Sequence, residues 1–158
     1  MDRDQFIAQV KSQQNVLRGF LLALCGGNQA DADDIAQEAL VKAYLAIGRY
    51  SDSGQFKSWL FKIAYNTFLN HTASQKQYDS IDEAYTVASQ ESADSGFSHQ
   101  QLYLALSTLP PKERTAITLY YLSGYSIKEI AAITEVNADA VKKQMSRGRE
   151  KLKNIIKL

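Results

Sequence analysis

Residues 140 to 158 hold seven Lys or Arg side chains against one carboxylate, Glu150, a local charge of +6 in a 158-residue chain whose net charge is only +1. The spacing in AVKKQMSRGREKLK (140–153) decides what that charge can do. Val141, Met145, Gly148, Leu152 and Ile155 or Ile156 return at steps of three and four, so they share the inward face of one helix. Lys142, Lys143, Ser146, Arg147, Arg149 and Lys153 are left on its outward faces. Guanidinium and ammonium groups arrayed in this way suit the phosphates of a polyanion, and Arg, Lys and Gln also reach base edges in a major groove. Ala140, Lys143 and Gln144, near the helix start, reach deepest in such a docking.

Bond-making chemistry finds no comparable support. His71 and His99 have no neighbours at metal-ligand spacing, and Cys25 is the single cysteine, without a basic helper that would mark a nucleophile. The carboxylates form no acid–base pair motif. No metal, cofactor or catalytic site is expected. A lone cysteine excludes an internal disulfide and suits a reducing compartment. The opening MDRDQF lacks the basic and apolar regions of a secretion signal, and no apolar run is long enough to cross a bilayer, so a cytoplasmic protein without membrane insertion is expected. Trp59 falls in an apolar stripe and reads as core, and Tyr120 and Tyr121 read as packing residues.

Elements that would position the basic face follow from periodicity. Phe6, Val10, Leu17, Leu21 and Leu24 mark a first helix that Gly26-Gly27 stops. Asp31, Asp33 and Asp34 crowd a second helix start, where carboxylates suit free N–H groups and the positive dipole end. A third stripe runs through Phe56, Trp59, Leu60, Ile63, Ala64 and Phe68. Residues 79–98 carry five acidic and no basic side chains, are rich in Ser and lack a period, so they read as an acidic flexible linker. Beyond it, helices are expected from about Leu102 to Leu109 and from Pro111 to Leu122. Ser126 and Glu129 form a capping box for the next, and Asn137 caps the last across a turn of about four residues. The result is an all-α chain of two small, independent helical domains, 1–78 and 99–158, the C-terminal one a helix-turn-helix.

These segments resemble a known family. ALSTLPPKERTAITLYYLSGYSIKEIAAITEVNADAVKKQMSRGREKLK is similar to the fourth conserved region of bacterial sigma factors, the part that reads the promoter −35 element. DADDIAQEALVKAYLAIGRYSDSGQFKSWLFKIAYN resembles the second conserved region, which holds core RNA polymerase and the −10 element. The absence of the other conserved regions points to the extracytoplasmic-function (ECF) group of the sigma-70 family.

The resemblance implies partners and roles. Asp33, Asp34, Gln37, Glu38 and Leu40 become candidates for docking on the polymerase β′ coiled coil, with the β flap as a second contact. Lys57, Lys62, Tyr65, Asn66, Asn70 and His71 become candidates for the −10 strand and an extruded base, which needs stacking and hydrogen bonds. Asn137, Ala140, Lys142, Lys143, Gln144, Ser146, Arg147 and Arg149 become candidates for −35 DNA. An anti-sigma partner is implied, since ECF members are usually held by one. A linker of 20 residues spans about 25 Å relaxed and about 70 Å at its limit, so bridging two promoter elements requires stretching it. Two departures stand out: Gln144 where the family often has Arg, and Glu135 at a turn position often given to Gly, costing about 1 kcal/mol if left-handed. Two alternatives stay open, a stand-alone dimeric helix-turn-helix regulator and a sigma-like decoy.

Overall fold

At the N-terminus Gln5 N–H donates to the Asp2 carboxylate (2.8 Å) while Asp2 N–H donates to the Gln5 side-chain oxygen (3.0 Å). This reciprocal cap starts α1 (Arg3–Leu24). Gly26 and Gly27 then adopt φ of 66° and 88°, a left-handed stop that residues with a Cβ resist. Six more helices follow in this computed structural model, which describes residues 1–51, 54–76 and 94–156. They are α2 (Gln29–Leu45), α3 (Phe56–Lys76), α4 (Asp94–Ser107), α5 (Pro111–Ile117), α6 (Ile127–Thr134) and α7 (Ala138–Ile156). A wide π turn, Thr118–Leu122, extends α5, and a 3₁₀ turn, Ile47–Arg49, follows α2. No strand occurs among the described residues.

Two helical halves are present, as the all-α reading requires. Helices α1, α2 and α3 pack mutually through Phe20, Leu21, Ile35, Ala39, Leu60 and Phe61, and α5, α6 and α7 through Ile117, Ile130, Ile133, Val141 and Met145. The expected independence of the halves is corrected. Helix α1 touches α4, α5 and the π turn, α3 packs on α6, and the buried residues form one continuous core. Phe61 of α3 is fully buried and meets the Tyr125 ring edge-on at 5.0 Å between centroids. Aromatic contacts of this kind join elements far apart in sequence because they remove much apolar surface from water at once.

Two element boundaries shift. Helix α3 runs eight residues past Phe68, with the Thr72 hydroxyl bonded back to the Phe68 carbonyl (2.8 Å). Helix α4 starts at Asp94, inside the stretch read as linker. The remaining linker residues, 79–93, lie outside the described residues. Tyr120 and Tyr121, read as packing residues, meet edge-on at 5.0 Å between ring centroids yet are 39% and 55% exposed.

Candidate nucleic-acid interface

The helix-turn-helix is capped at both helix starts. Glu129 N–H donates to the Ser126 hydroxyl (3.1 Å) and Ser126 N–H to the Glu129 carboxylate (2.9 Å), fixing α6. The Asn137 side-chain oxygen accepts from Ala140 N–H at 2.8 Å, so Asn137 holds the start of α7. Between them Glu135 sits in the left-handed region, φ 60° and ψ 41°. Gly148 lets α7 lie close on α5: a Cβ there would meet Ile117 Cγ1 at 2.9 Å. On the far side Lys142, Lys143, Ser146, Arg147 and Arg149 are exposed, while Gln144 and Ala140 are half-buried. The outward side divides into two flanks. Ala140, Lys143, Gln144 and Arg147 line a cleft of about 500 Å³ with Pro110, Pro111, Lys112 and Glu113. Arg149 and Lys153 instead edge an apolar groove of about 520 Å³ formed with Leu102, Tyr121, Leu122 and Leu152. Of the inward pair read as Ile155 or Ile156, Ile155 is 46% exposed.

The polar side of α3 is arranged differently. Lys57, Asn66 and Asn70 are exposed, Lys62 and His71 are half-buried, and Tyr65 is buried. Tyr65, a candidate for the −10 strand, is thus covered in this conformation. Burial pushes its phenol above the usual phenol range, with the Thr115 side chain opposing. Lys57 Nζ stands 5.5 Å from the centre of the Tyr125 ring, and Lys62 Nζ lies 3.8 Å from the Glu135 carboxylate. Lys62 also lines a cleft of about 300 Å³ with Arg49, Tyr50, Ser51, Gln55, Ser58 and Trp59, and Ala132 of α6 closes one side. Trp59, read as core, is half-buried and stacks at a tilt on Tyr50 and Phe56. His71 sits apart, in a cleft with Cys25, Asp31 and Arg114.

On α2 the carboxylates lie further along than the sequence suggests. Asn28 caps the helix, accepting from Asp31 N–H at 3.0 Å, so only Asp31 is in the first turn. Asp33 and Asp34 fall beyond the reach of the helix dipole, which fades within a turn. Asp34, Gln37 and Glu38 are exposed, Leu40 is half-buried, and the stripe continues through Val41 (59% exposed) and Leu45 (77% exposed). Asp33 and Glu38 carry only exposed ion pairs, to Arg18 at 3.4 Å and Lys42 at 2.9 Å. Such pairs are weak and exchangeable.

Two polar centres escape sequence reasoning because their partners are remote. Arg114 donates to four carbonyls: Leu24 (2.9 Å), Leu109 (3.0 Å), Leu106 (3.1 Å) and Ser107 (3.3 Å), tying the ends of α1 and α4 together. Glu113 is buried and held by Lys151 Nζ at 2.9 and 3.1 Å, pinning α7 to α5. Lys151 is thus committed inward. Near Arg114 the Cys25 thiol is pushed up to about 12, chiefly by burial and then by Asp31, with Arg114 opposing. That thiol is poorly suited to nucleophilic work. Among the described residues no group of His, Cys, Asp and Glu could hold a metal, and no helix is long and apolar enough to cross a membrane.

Comparison with known proteins matches both halves. The family model described as sigma-70 region 2 matches residues 10–78, and that described as sigma-70 region 4 matches residues 99–152. The ECF RNA polymerase sigma factor EcfG of Rhodopseudomonas palustris is 31% identical over 157 residues, covering 98% of this chain and 84% of that protein. The ECF RNA polymerase sigma factor SigW of Bacillus subtilis is 34% identical over 142 residues, covering 80% and 76%. Among solved structures, the sigma factor RpoE in complex with the anti-sigma factor NepR from Bartonella quintana superposes with a TM-score of 0.86 at 25% identity, covering 98% of each chain. CnrH in complex with the cytosolic domain of CnrY shares the fold, with a TM-score of 0.78 at 22% identity over 99% of this chain and 90% of that one.

Proposed function

Because the chain belongs to the sigma-70 family, in its ECF group, we propose a residue-level division of labour for a protein that binds core RNA polymerase and directs promoter recognition and transcription initiation. The carrying observation is that both matched regions occur in order, the second ending in a helix-turn-helix whose outward helix face is basic. Residues 1–78 serve polymerase and the −10 element, and residues 99–158 serve the −35 element. On α2 the docking stripe is Asp33, Asp34, Gln37, Glu38 and Leu40, extended by Val41 and Leu45, whose exposure in a folded chain favours a partner surface. On α7 Lys143, Gln144 and Arg147, on the flank with Lys112, read bases and phosphates, while Lys142, Ser146 and Arg149 hold the other strand's backbone. The apolar groove beside Arg149 suits the polymerase flap. On α3 Lys57, Lys62, Tyr65, Asn66, Asn70 and His71 serve the −10 strand, with Tyr65 reaching it only when α3 and α5 part. The two anti-sigma complexes among the neighbours favour an anti-sigma partner here as well.

Run-off transcription from a genomic promoter library tests this reading. Core polymerase with this protein should yield discrete promoter-specific transcripts that core alone does not. Reversing Asp34 and Glu38 to Arg should abolish both the transcripts and co-purification with core while leaving helix content intact, because surface charges decide docking more than folding. Transcripts unchanged by adding the protein would defeat the reading, and normal core binding by the double variant would defeat the α2 assignment.

A further inference from the structure

We propose that the α2 stripe of one copy of this chain seats in the apolar groove beside α7 of a second copy, so that the free protein self-associates head to tail. Among the described residues the six most exposed large apolar side chains, each at least 46% exposed, fall in two patches. Val41, Tyr44 and Leu45 stand on α2. Tyr121 and Leu122 wall the groove that Leu102, Ile117 and Leu152 complete, and Ile155 lies one turn beyond Leu152 on α7. Neither patch covers the other within one chain, since both remain exposed. Apolar surface gathered in this way is stabilised by a partner that removes it from water.

Charge decides which surface fits which. Asp34, Glu38, Val41 and Leu45 follow at steps of four, three and four, so carboxylates and apolar groups form one stripe on α2. The groove is edged by Arg149 and Lys153, also four residues apart on one helix. Acidic and basic rows therefore share a spacing of one helical turn, and two ion pairs can form while Val41 and Leu45 enter the groove. Pairing α2 with α2, or groove with groove, would instead set like charges against each other. Lys42 does not stand in the way, because its pair with Glu38 at 2.9 Å is exposed on both sides and exchanges readily. The two patches differ, so the contact is heterologous, and each copy has one patch of each kind to offer. Both are the patches assigned to polymerase above. The inference goes beyond that reading by giving them a second occupant, another copy of the chain, which excludes the first.

The patches are small, so the expected dissociation constant is on the order of 10–100 µM, and sedimentation velocity of the free chain across that range at low salt should show a sedimentation coefficient that rises with concentration. Glu38→Arg alone, or Arg149→Glu alone, should weaken self-association by about ten-fold or more, because each sets like charges side by side. Both side chains are exposed, so the helices survive the changes. An equimolar mixture of the two variants should recover the association, since the reversed α2 of one meets the reversed groove of the other. A chain carrying both reversals should recover it alone. Leu45→Ser, which leaves every charge in place, should weaken it by about ten-fold, the scale of one buried leucine. A sedimentation coefficient that stays at the monomer value throughout overturns the proposal. So does self-association that either single reversal leaves intact, or that the mixture fails to restore. No polymerase or DNA enters these measurements, so their failure leaves the promoter-recognition reading untouched, and a failure of core binding leaves them standing.

Discussion

Helices α3 and α7 are nearly equal in length, 21 and 19 residues, and each carries residues assigned to promoter DNA, yet α7 buries none of its own, whereas α3 buries Tyr65 and half-covers Lys62 and His71. Helix α7 buries one stripe, Val141, Met145 and Gly148, and leaves Lys142, Lys143, Ser146, Arg147 and Arg149 exposed. Helix α3 packs on α2 with one face and on α6 with another, which leaves Lys62 half-covered and Tyr65 buried. A single apolar period therefore reports one buried face and is silent on a second. Where the second face is built from Tyr and Lys, its contacts read in sequence as an open binding surface.

The largest test of that contrast is charge reversal. Lys143→Glu with Arg147→Glu on α7 should lower affinity for −35 duplex by roughly 100-fold or more, in free chain and in holoenzyme alike, because that face is open in both. Lys57→Glu on α3 should show its effect on the −10 strand in holoenzyme and little in the free chain, where Tyr125 already occupies it. Anisotropy titrations at fixed salt decide the matter. If both helices respond equally in the free chain, the contrast between a covered and an open helix fails.

What is legible in the sequence follows the range of the interactions involved. The Ser126–Glu129 box and the Asn137 cap act across three residues, and both are present as read. Gly148 falls inward by its period alone, and its missing Cβ proves to be needed by Ile117. The left-handed turn at Glu135 follows from its position between two helices. By contrast Arg114 bonds to Leu24, 90 residues away, and Tyr65 meets Thr115 on another helix; no local pattern encodes either. The exposed pair Val41 and Leu45 is missed by any reading that assigns apolar helical residues to the core by default, although both fall off the Ile35, Ala39 and Ala43 stripe.

Two packing tests sharpen the same comparison from the inner side of α7. Lys151→Met strips the partner from the buried Glu113 carboxylate, so unfolding free energy should fall by about 2 kcal/mol, the cost of leaving a buried charged group unpaired. Removing Arg18, whose pair with Asp33 is exposed on both sides, should cost well under about 1 kcal/mol. Urea melts of the two variants should differ clearly. Gly148→Ala sets a helix-propensity gain of about 1 kcal/mol against overpacking of Ile117 by a Cβ at 2.9 Å, which costs about 1–3 kcal/mol. The expected net is a loss of about 1 kcal/mol and a lowered Tm. A raised Tm would mean that α7 is not seated as closely on α5 as Gly148 indicates.

The smallest effect concerns the two flanks of α7 and separates reading from holding. Lys143 and Gln144 line the cleft with Pro110, Pro111 and Lys112 near the start of the helix, whereas Arg149 lies more than a turn further on, beside Tyr121, with its guanidinium 3.5 Å from the phenol oxygen. A side chain at that edge reaches phosphate more readily than a base. A phosphate contact acts through released counterions, so Arg149→Ala should flatten the slope of log affinity against log salt by about 0.9 and weaken all sequences evenly. Lys143→Ala and Gln144→Ala should leave the overall grip nearly intact but change which −35 sequences a randomised duplex pool yields, since each good base pairing supplies about 1–3 kcal/mol of discrimination. Selection with each variant followed by salt titration distinguishes the two roles. Should Arg149→Ala alter the selected sequence while the other two leave it untouched, α7 lies in the groove in the opposite sense, and the base-reading flank is the one beside Tyr121.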